Sequence, residues 1–273
     1  MVSSYLLSLR EGIEAALVIG IVLGGLRKVH HTHLNHIVWR GTISAIAISF
    51  IIALALNRLG ASLVGDYEKI YEGITLLFAA AILTWMIFWM NGHSQSLRNE
   101  MEIDVRRAVL DSGRKALFIL AFIAVLREGV ELAIFLTAAS MTTSAQETFI
   151  GVVLGLGTAI VLGWSLFATT IKLDLKRFFF VTGALLILFA AGLVAHGVHE
   201  FNELGWIPPI IDPLWDMNFI LDEKSTIGLL LKALFGYNGD PSLSEVTAYV
   251  VYFIAIIFGL RWSTQKRYSP QKF

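Results

Sequence analysis

Apolar runs of about twenty residues, separated by short charged or turn-forming segments, recur along the whole chain. Seven lie near residues 3–26, 38–57, 71–91, 116–140, 149–171, 179–200 and 246–262. Crossing about 30 Å of hydrocarbon takes roughly 20 helical residues, so each run is long enough, or nearly so, for a transmembrane helix. The pattern predicts an all-α polytopic membrane protein with seven transmembrane helices. The connection over 201–245 is long and mixed, with Pro208, Pro209, Asp212, Pro213 and Trp215 followed by the apolar piece Ile227 to Phe235. That piece is too short to span and predicts an interfacial or re-entrant helix on the outer face. The sign-mixed run Arg98 to Lys115 predicts a surface helix.

Charge interrupts two of the runs in the same way. Arg10-Glu11-Gly12-Ile13-Glu14 lies in the first and Arg127-Glu128-Gly129-Val130-Glu131 in the fourth. Neither Val2 to Leu26 nor Ala116 to Met141 holds any other charged residue. Ionisable groups at membrane depth cost about 2.5–3.5 kcal/mol each on insertion scales, which makes them functional by default. On a helix, the arginine, second glutamate and first glutamate of each copy fall at about 0°, 40° and 100°. All three share one face, which must look into protein or water.

The repeat extends beyond the motif. Leu77-Phe78-Ala79-Ala80 in the third run returns as Leu188-Phe189-Ala190-Ala191 in the sixth, an offset of 111 residues against 117 for the motif. Helices one to three thus correspond to four to six. An odd number of helices inverts the second copy, and transporters with such inverted repeats place their substrate near the midplane between the copies. The expected layout is one integral-membrane domain over residues 1–273. Repeat one covers about 1–92, repeat two about 113–203, an outer loop about 201–245, and a seventh, C-terminal helix about 246–262.

Composition agrees: 56% of the 273 residues are hydrophobic and 15% charged, with a mean hydropathy of +0.71. These values are those of a membrane protein. A net charge of zero argues against a nucleic-acid partner. The absence of cysteine excludes disulfides, thiolate metal sites and thiol catalysis. Met1-Val2-Ser3-Ser4 lacks the basic start of a cleavable signal peptide, so the first helix is expected to be retained. Lysine and arginine set orientation. Fifteen fall after helices one, three and five and in the C-terminal tail, against four on the other side (Arg58, Lys69, Lys224 and Lys232). This predicts an outer N-terminus and a cytoplasmic C-terminus in a multi-pass protein of the cytoplasmic membrane, with an acidic outer side that either concentrates cations or is simply the counterpart of the basic inner side.

Carboxylates are hard oxygen donors suited to iron, manganese or magnesium ions. Glu11, Glu14, Glu128 and Glu131 on two facing helices would supply an oxygen-rich site. Arg10 and Arg127 cannot bind a metal, and they are expected to hold the carboxylates in bidentate pairs. If all six groups are ionised, each copy sums to −1 and the pair to −2. Structural ion pairing of helices one and four is the plainer alternative. Two identical copies, each with one carboxylate more than its arginine requires, favour cation binding. Gly12 and Gly129 are expected to allow close backbone approach.

R-E-G-x-E in the first and fourth of seven helices resembles the oxidase-dependent iron permease family, also called the iron/lead transporters. The resemblance covers nearly the whole chain, including the segment Leu83-Thr84-Trp85-Met86-Ile87-Phe88-Trp89-Met90. It implies high-affinity iron uptake across the cytoplasmic membrane, with Arg10, Glu11, Glu14, Arg127, Glu128 and Glu131 matching the family's iron-handling residues. Iron, ferric or ferrous, is then the transported ion, and no tightly bound cofactor is expected. The resemblance also implies a multicopper ferroxidase partner, as in fungal members, or a periplasmic iron-binding protein and haem peroxidase, as in bacterial ones. Any redox step would belong to such a partner, and this chain would be a permease rather than an enzyme.

Other residues are candidates for entry and exit. Glu68 and Glu72 start helix three on the outer side, where the family often has acidic residues. His196, His199, Glu200 and Glu203 fall at about 0°, 300°, 40° and 340°, one stripe at the outer end of helix six. His30, His31, His33 and His36 in the first cytoplasmic loop are candidates for receiving iron on exit. Gly20-x-x-x-Gly24 and Gly151-x-x-x-Gly155 read as helix-packing contacts. The rival functions are transport of lead or manganese, a membrane-embedded carboxylate-metal oxidoreductase, and a non-transporting metal sensor. The oxidoreductase predicts histidines beside the carboxylates, and helices one to four contain none. The cytoplasmic segments are too short for a sensor's output domain.

Overall fold

The structure, a computed structural model, describes residues 1–93, 113–168, 175–223 and 225–268. The described residues form helices without strands, and the longest described connection runs from 204 to 225. In chain order these are α1 (Val2–Lys28), a 3-10 turn (Thr32–Leu34), α2 (Asn35–Ser62), α3 (Asp66–His93), α4 (Gly113–Thr142), α5 (Ala145–Ala168), α6 (Leu175–Glu203), α7 (Thr226–Phe235) and α8 (Leu243–Tyr268). Each predicted apolar run lies largely within one of the long helices, and most helices extend beyond the run by several residues. The surface helix predicted for Arg98 to Lys115 falls mostly outside the described residues.

Among the described residues, five stretches are long and apolar enough to cross a membrane: 32–62, 66–89, 145–165, 177–203 and 243–261. The helices α1 and α4 are not among them. They are as long as the rest, and what sets them apart is the charge of the paired motif. The apolar piece after Pro213 forms the ten-residue α7, fixed at both ends. At its start, the hydroxyl of Ser225 accepts a hydrogen bond from the Gly228 N–H at 3.0 Å. Gly236 closes it in the left-handed conformation, at φ 68°.

The chain divides into two compact units, Met1–Ser62 with His93–Thr182, and Leu63–Gly92 with Gly183–Phe273. In the first unit, α1 packs against α5 and α4, and α2 packs against α4. Small residues every four positions set these contacts. Ser4, Ser8, Gly12 and Ala16 of α1 meet Gly151, Gly155, Ala159 and Gly163 of α5 in step. The register rises on both helices together, so α1 and α5 run parallel. The pair α2 and α4 repeats the arrangement, with Gly41 against Ala121 and Ser49 against Gly129. Between helices that bury little water-exposed area in lipid, such close approach supplies the packing that holds them.

At the glycines of these seams a side chain has no room. A Cβ at Gly155 would lie 2.8 Å from the Ser8 Cβ and against the Tyr5 carbonyl oxygen. Gly155→Val is therefore expected to lower stability by about 1–3 kcal/mol, read as a lower denaturation temperature in detergent. Gly157→Ala, where a Cβ would meet nothing within 4 Å, is expected to leave it unchanged or slightly raised.

In the second unit, α3 and α6 pack through Gly73 on the Phe201 ring and Gly197 on Leu77. The end of α7 abuts α6 where Gly236 touches Gly192. Helix α8 meets α3 through Gly259 and Phe88 and through a 2.8 Å hydrogen bond between Thr84 Oγ1 and the Tyr252 hydroxyl.

Candidate metal centre

The two charged motifs belong to the first unit. Gly12 and Gly129 face α5 and α2, not each other: a Cβ on Gly12 would meet Ala159, and one on Gly129 would meet Ser49. The glycines thus press α1 onto α5 and α4 onto α2. The carboxylates meet across α1 and α4, where Glu11, Glu128 and Glu131 each offer an oxygen within 4.8 Å of the others. Glu11 and Glu128 are buried, at 1% and 3% exposure. Among the described residues this is the one set of three or more carboxylate or imidazole groups close enough to share an ion.

The arginines divide the glutamates unevenly. Arg10 Nε lies 3.2 Å from Glu14 Oε1, and its Nη1 is 3.9 Å from Glu11 Oε1. In the second copy the preference reverses. Arg127 donates from Nε and Nη2 to Glu128 Oε1, at 3.0 and 2.6 Å, and stands 3.8 Å from Glu131. The expected two-oxygen bidentate pair is thus replaced by a fork on a single oxygen. Both oxygens of Glu11 and Oε2 of Glu128 are buried and accept no hydrogen bond among the described residues. Buried carboxylate oxygens without a donor are costly, and a hard cation bound among them would satisfy them. Glu14, drawn to Arg10, stands outside the trio. The arginines differ too, since the Arg10 side chain is 1% exposed and that of Arg127 51%.

The stripe on α6 lies in the second unit. His199 places Nδ1 3.1 Å from Glu245 Oε1 and Nε2 3.3 Å from Glu203 Oε1. Lys69 Nζ meets Glu203 at 2.7 Å. With a carboxylate at each ring nitrogen, His199 bridges α6 to α8 and has no ring lone pair directed at open space. His196, Glu72 and Glu200 are partly buried and Glu68 is exposed. Glu245 is the residue here that sequence reasoning missed. It accepts from Asn238 Nδ2 at 2.9 Å and from the Ser242 hydroxyl at 2.9 Å. The Ser242 backbone N–H donates to it at 3.2 Å and the Glu245 N–H returns to the Ser242 hydroxyl at 3.3 Å. This is a capping box, and Ser242-x-x-Glu245 ahead of an apolar run was its signal.

His30, His31, His33 and His36 are exposed around the 3-10 turn. His31 Nδ1 pairs with the Val29 carbonyl and His36 Nδ1 with the His33 carbonyl, each at 2.8 Å. These two imidazoles are turned to the local backbone, and the four histidines form no group close enough to share an ion among the described residues.

The Iron permease FTR1 family matches residues 1–270. The chain is 33% identical over 252 residues to the ferrous iron permease EfeU of Escherichia coli (strain UTI89 / UPEC), covering 92% of this chain and 91% of that one. The protein of the same name from Shigella sonnei (strain Ss046) gives the same figures. That of Yersinia pestis is 34% identical over 253 residues, covering 92% and 89%. No solved structure matches the chain.

Proposed function

The chain belongs to the Iron permease FTR1 family, a family of transporters and not of enzymes, and from that premise we propose that it carries iron across a membrane by way of Glu11, Glu128 and Glu131. The observation that carries this reading is the convergence of three carboxylates at one buried point between α1 and α4. Hard oxygen donors, two of the carboxylates shielded from solvent and three of their four oxygens without a hydrogen bond among the described residues, suit an iron ion that has shed part of its hydration. Glu14 and Arg10 form the charge reserve beside the trio, and Arg127 steadies Glu128 while leaving its second oxygen to the cargo.

The protein is a multi-pass helical membrane protein. In our reading seven helices cross the membrane, α7 lies at the outer surface, and α1 to α3 are related to α4 to α6 by inversion within one domain. The packing supports this pairing. With α1 matched to α4 at an offset of 117 and α2 to α5 at 110, the contact of Gly12 with Ala159 becomes that of Gly129 with Ser49. The basic residues favour an outer N-terminus. Glu68, Glu72, His196, Glu200 and the His199–Glu203 pair are then an outer relay for cations, and the histidines after α1 an exit stage. The relatives' printed name favours ferrous iron as the cargo, with any oxidase or binding-protein partner acting outside this chain.

A competition assay in proteoliposomes tests the cargo. Ferrous uptake is expected to exceed ferric uptake, with manganese and lead competing at higher concentrations because carboxylates discriminate modestly among divalent ions. Uptake of manganese in preference to either iron species would overturn the assignment to iron.

A further inference from the structure

The two ends of the first unit are built from matching positions with opposite chemistry. Beyond the carboxylates toward the α1 C-terminus, Val22, Leu26, Leu34, Ile37, Val38, Leu117 and Ala121 form one buried apolar cluster. The offsets of 117 and 110 carry Leu26, Leu34, Ile37, Val38 and Ala121 to Thr143, Ser144, Glu147, Thr148 and Ser4. Leu120, packed on the same cluster, has Ser3 as its counterpart. Five of the seven positions are therefore apolar at one end and oxygen-bearing at the other, while Val22 has Ala139 as its counterpart and Leu117 has none.

The oxygens at that second end are unusual in their bonding. Ser3, Ser4 and Ser8 are at most 1% exposed, and none of their hydroxyls has a hydrogen-bond partner among the described residues. Ser4, Ser8 and Glu11 fall at about 0°, 40° and 340° around α1, so the serine stripe runs along the α1–α5 seam, against Gly151 and Gly155, and ends beside the carboxylate trio. Thr143 and Thr148 donate to backbone carbonyls one turn back, at 2.9 and 3.1 Å. Their two hydroxyl oxygens also lie 3.1 Å from each other, close enough to share one cation. Thr42 Oγ1 and Asn35 Oδ1 on α2, both buried without a partner among the described residues, are exceptions on the apolar side.

We propose that the cargo ion reaches the carboxylate site from the N-terminal end of α1, over the oxygens of Ser3, Ser4, Ser8, Thr143 and Thr148, while the apolar cluster of Val22, Leu26, Val38 and Leu117 seals the opposite end and must part for the ion to leave. This rests on the carboxylate trio being the cation site. A partly dehydrated cation needs an oxygen at each step, which the serine stripe supplies. An apolar constriction holds neither water nor ion until it opens. With Ser4 and Ser8 fully covered, both ends are closed in this structure, and the chemistry of each determines which admits an ion and which releases it.

The chain has no cysteine, so single introduced thiols report on each end. Ser8→Cys and Val125→Cys are matched positions, and Ser144→Cys and His33→Cys mark the two faces. In reconstituted vesicles, a membrane-impermeant thiol reagent is expected to modify Ser8→Cys from the face that labels Ser144→Cys, about tenfold faster than it modifies Val125→Cys from either face. Ferrous iron should slow the reaction. Adding Leu26→Ser, which gives the cluster the chemistry of its counterpart, is expected to open Val125→Cys to reagent from the His33 face. Equal rates at Ser8→Cys and Val125→Cys, no reaction at Ser8→Cys, or reaction there from the His33 face would overturn the proposal. In a Glu128→Gln background the sidedness should persist while protection by iron is lost. Persistent protection with the sidedness intact would remove the carboxylate site and leave the path standing.

Discussion

Glu128→Gln is expected to abolish iron uptake while leaving the protein folded in the membrane. The substitution keeps volume and shape, so the contacts of α4 with α1 and α2 survive. It removes one of three converging carboxylates and places an amide N–H₂ where an oxygen faced the cation. Losing a partner one shell out from a metal typically costs about 10–100-fold in affinity or activity, and losing a ligand should cost at least that. Glu11→Gln should match it, because both oxygens of Glu11 are buried without a hydrogen bond. Glu14→Gln should be milder, because Glu14 is drawn to Arg10 at 3.2 Å and stands outside the trio. Radioactive iron uptake in vesicles, normalised to membrane-inserted protein, reads all three. Normal uptake by Glu128→Gln would remove that residue from the site.

The second large effect separates the two arginines. Arg10→Ala leaves Glu14 and Glu11 buried without their cation, and breaking a buried pair from one side costs about 3–5 kcal/mol. That is a large share of the roughly 5–15 kcal/mol that holds a typical domain together, so little folded protein should reach the membrane. Arg127 is half exposed, and Arg127→Ala should fold. Its deficit should be functional: Glu128 loses the fork that fixes one oxygen, and iron should bind more weakly. Membrane-fraction yield and denaturation temperature in detergent separate the cases. Equal losses from both substitutions would mean that the two copies are equivalent and that their different geometry has no consequence.

The helices were legible because their apolar runs are long and their boundaries charged. Even the short α7 could be read from the apolar piece Ile227 to Phe235, and the structure adds the Ser225 and Gly236 that fix its ends. The paired motif was legible because charge in an apolar run stands out. Which neighbour each helix faces was less so. A helix that is apolar all round carries little periodic signal, because lipid and protein interior ask for the same side chains. The informative signal was the four-residue spacing of small residues. Gly151 and Gly155 could be read as packing contacts, but their partners Ser4 and Ser8 look like ordinary polar residues in sequence. The inequality of the glutamates was also hidden, since two copies of one motif look equivalent until the arginines choose between them. His199 and Glu245, 46 residues apart, are joined by the packing of α6 on α8, which no local pattern announces.

Direct iron binding tests the central claim most closely. Purified protein titrated anaerobically with ferrous iron is expected to take up about one high-affinity ion per chain, held by three carboxylates and water. The variant combining Glu11→Gln, Glu128→Gln and Glu131→Gln should lose that ion, while one combining Glu68→Gln and Glu203→Gln keeps it. Undiminished binding by the triple variant would contradict the account.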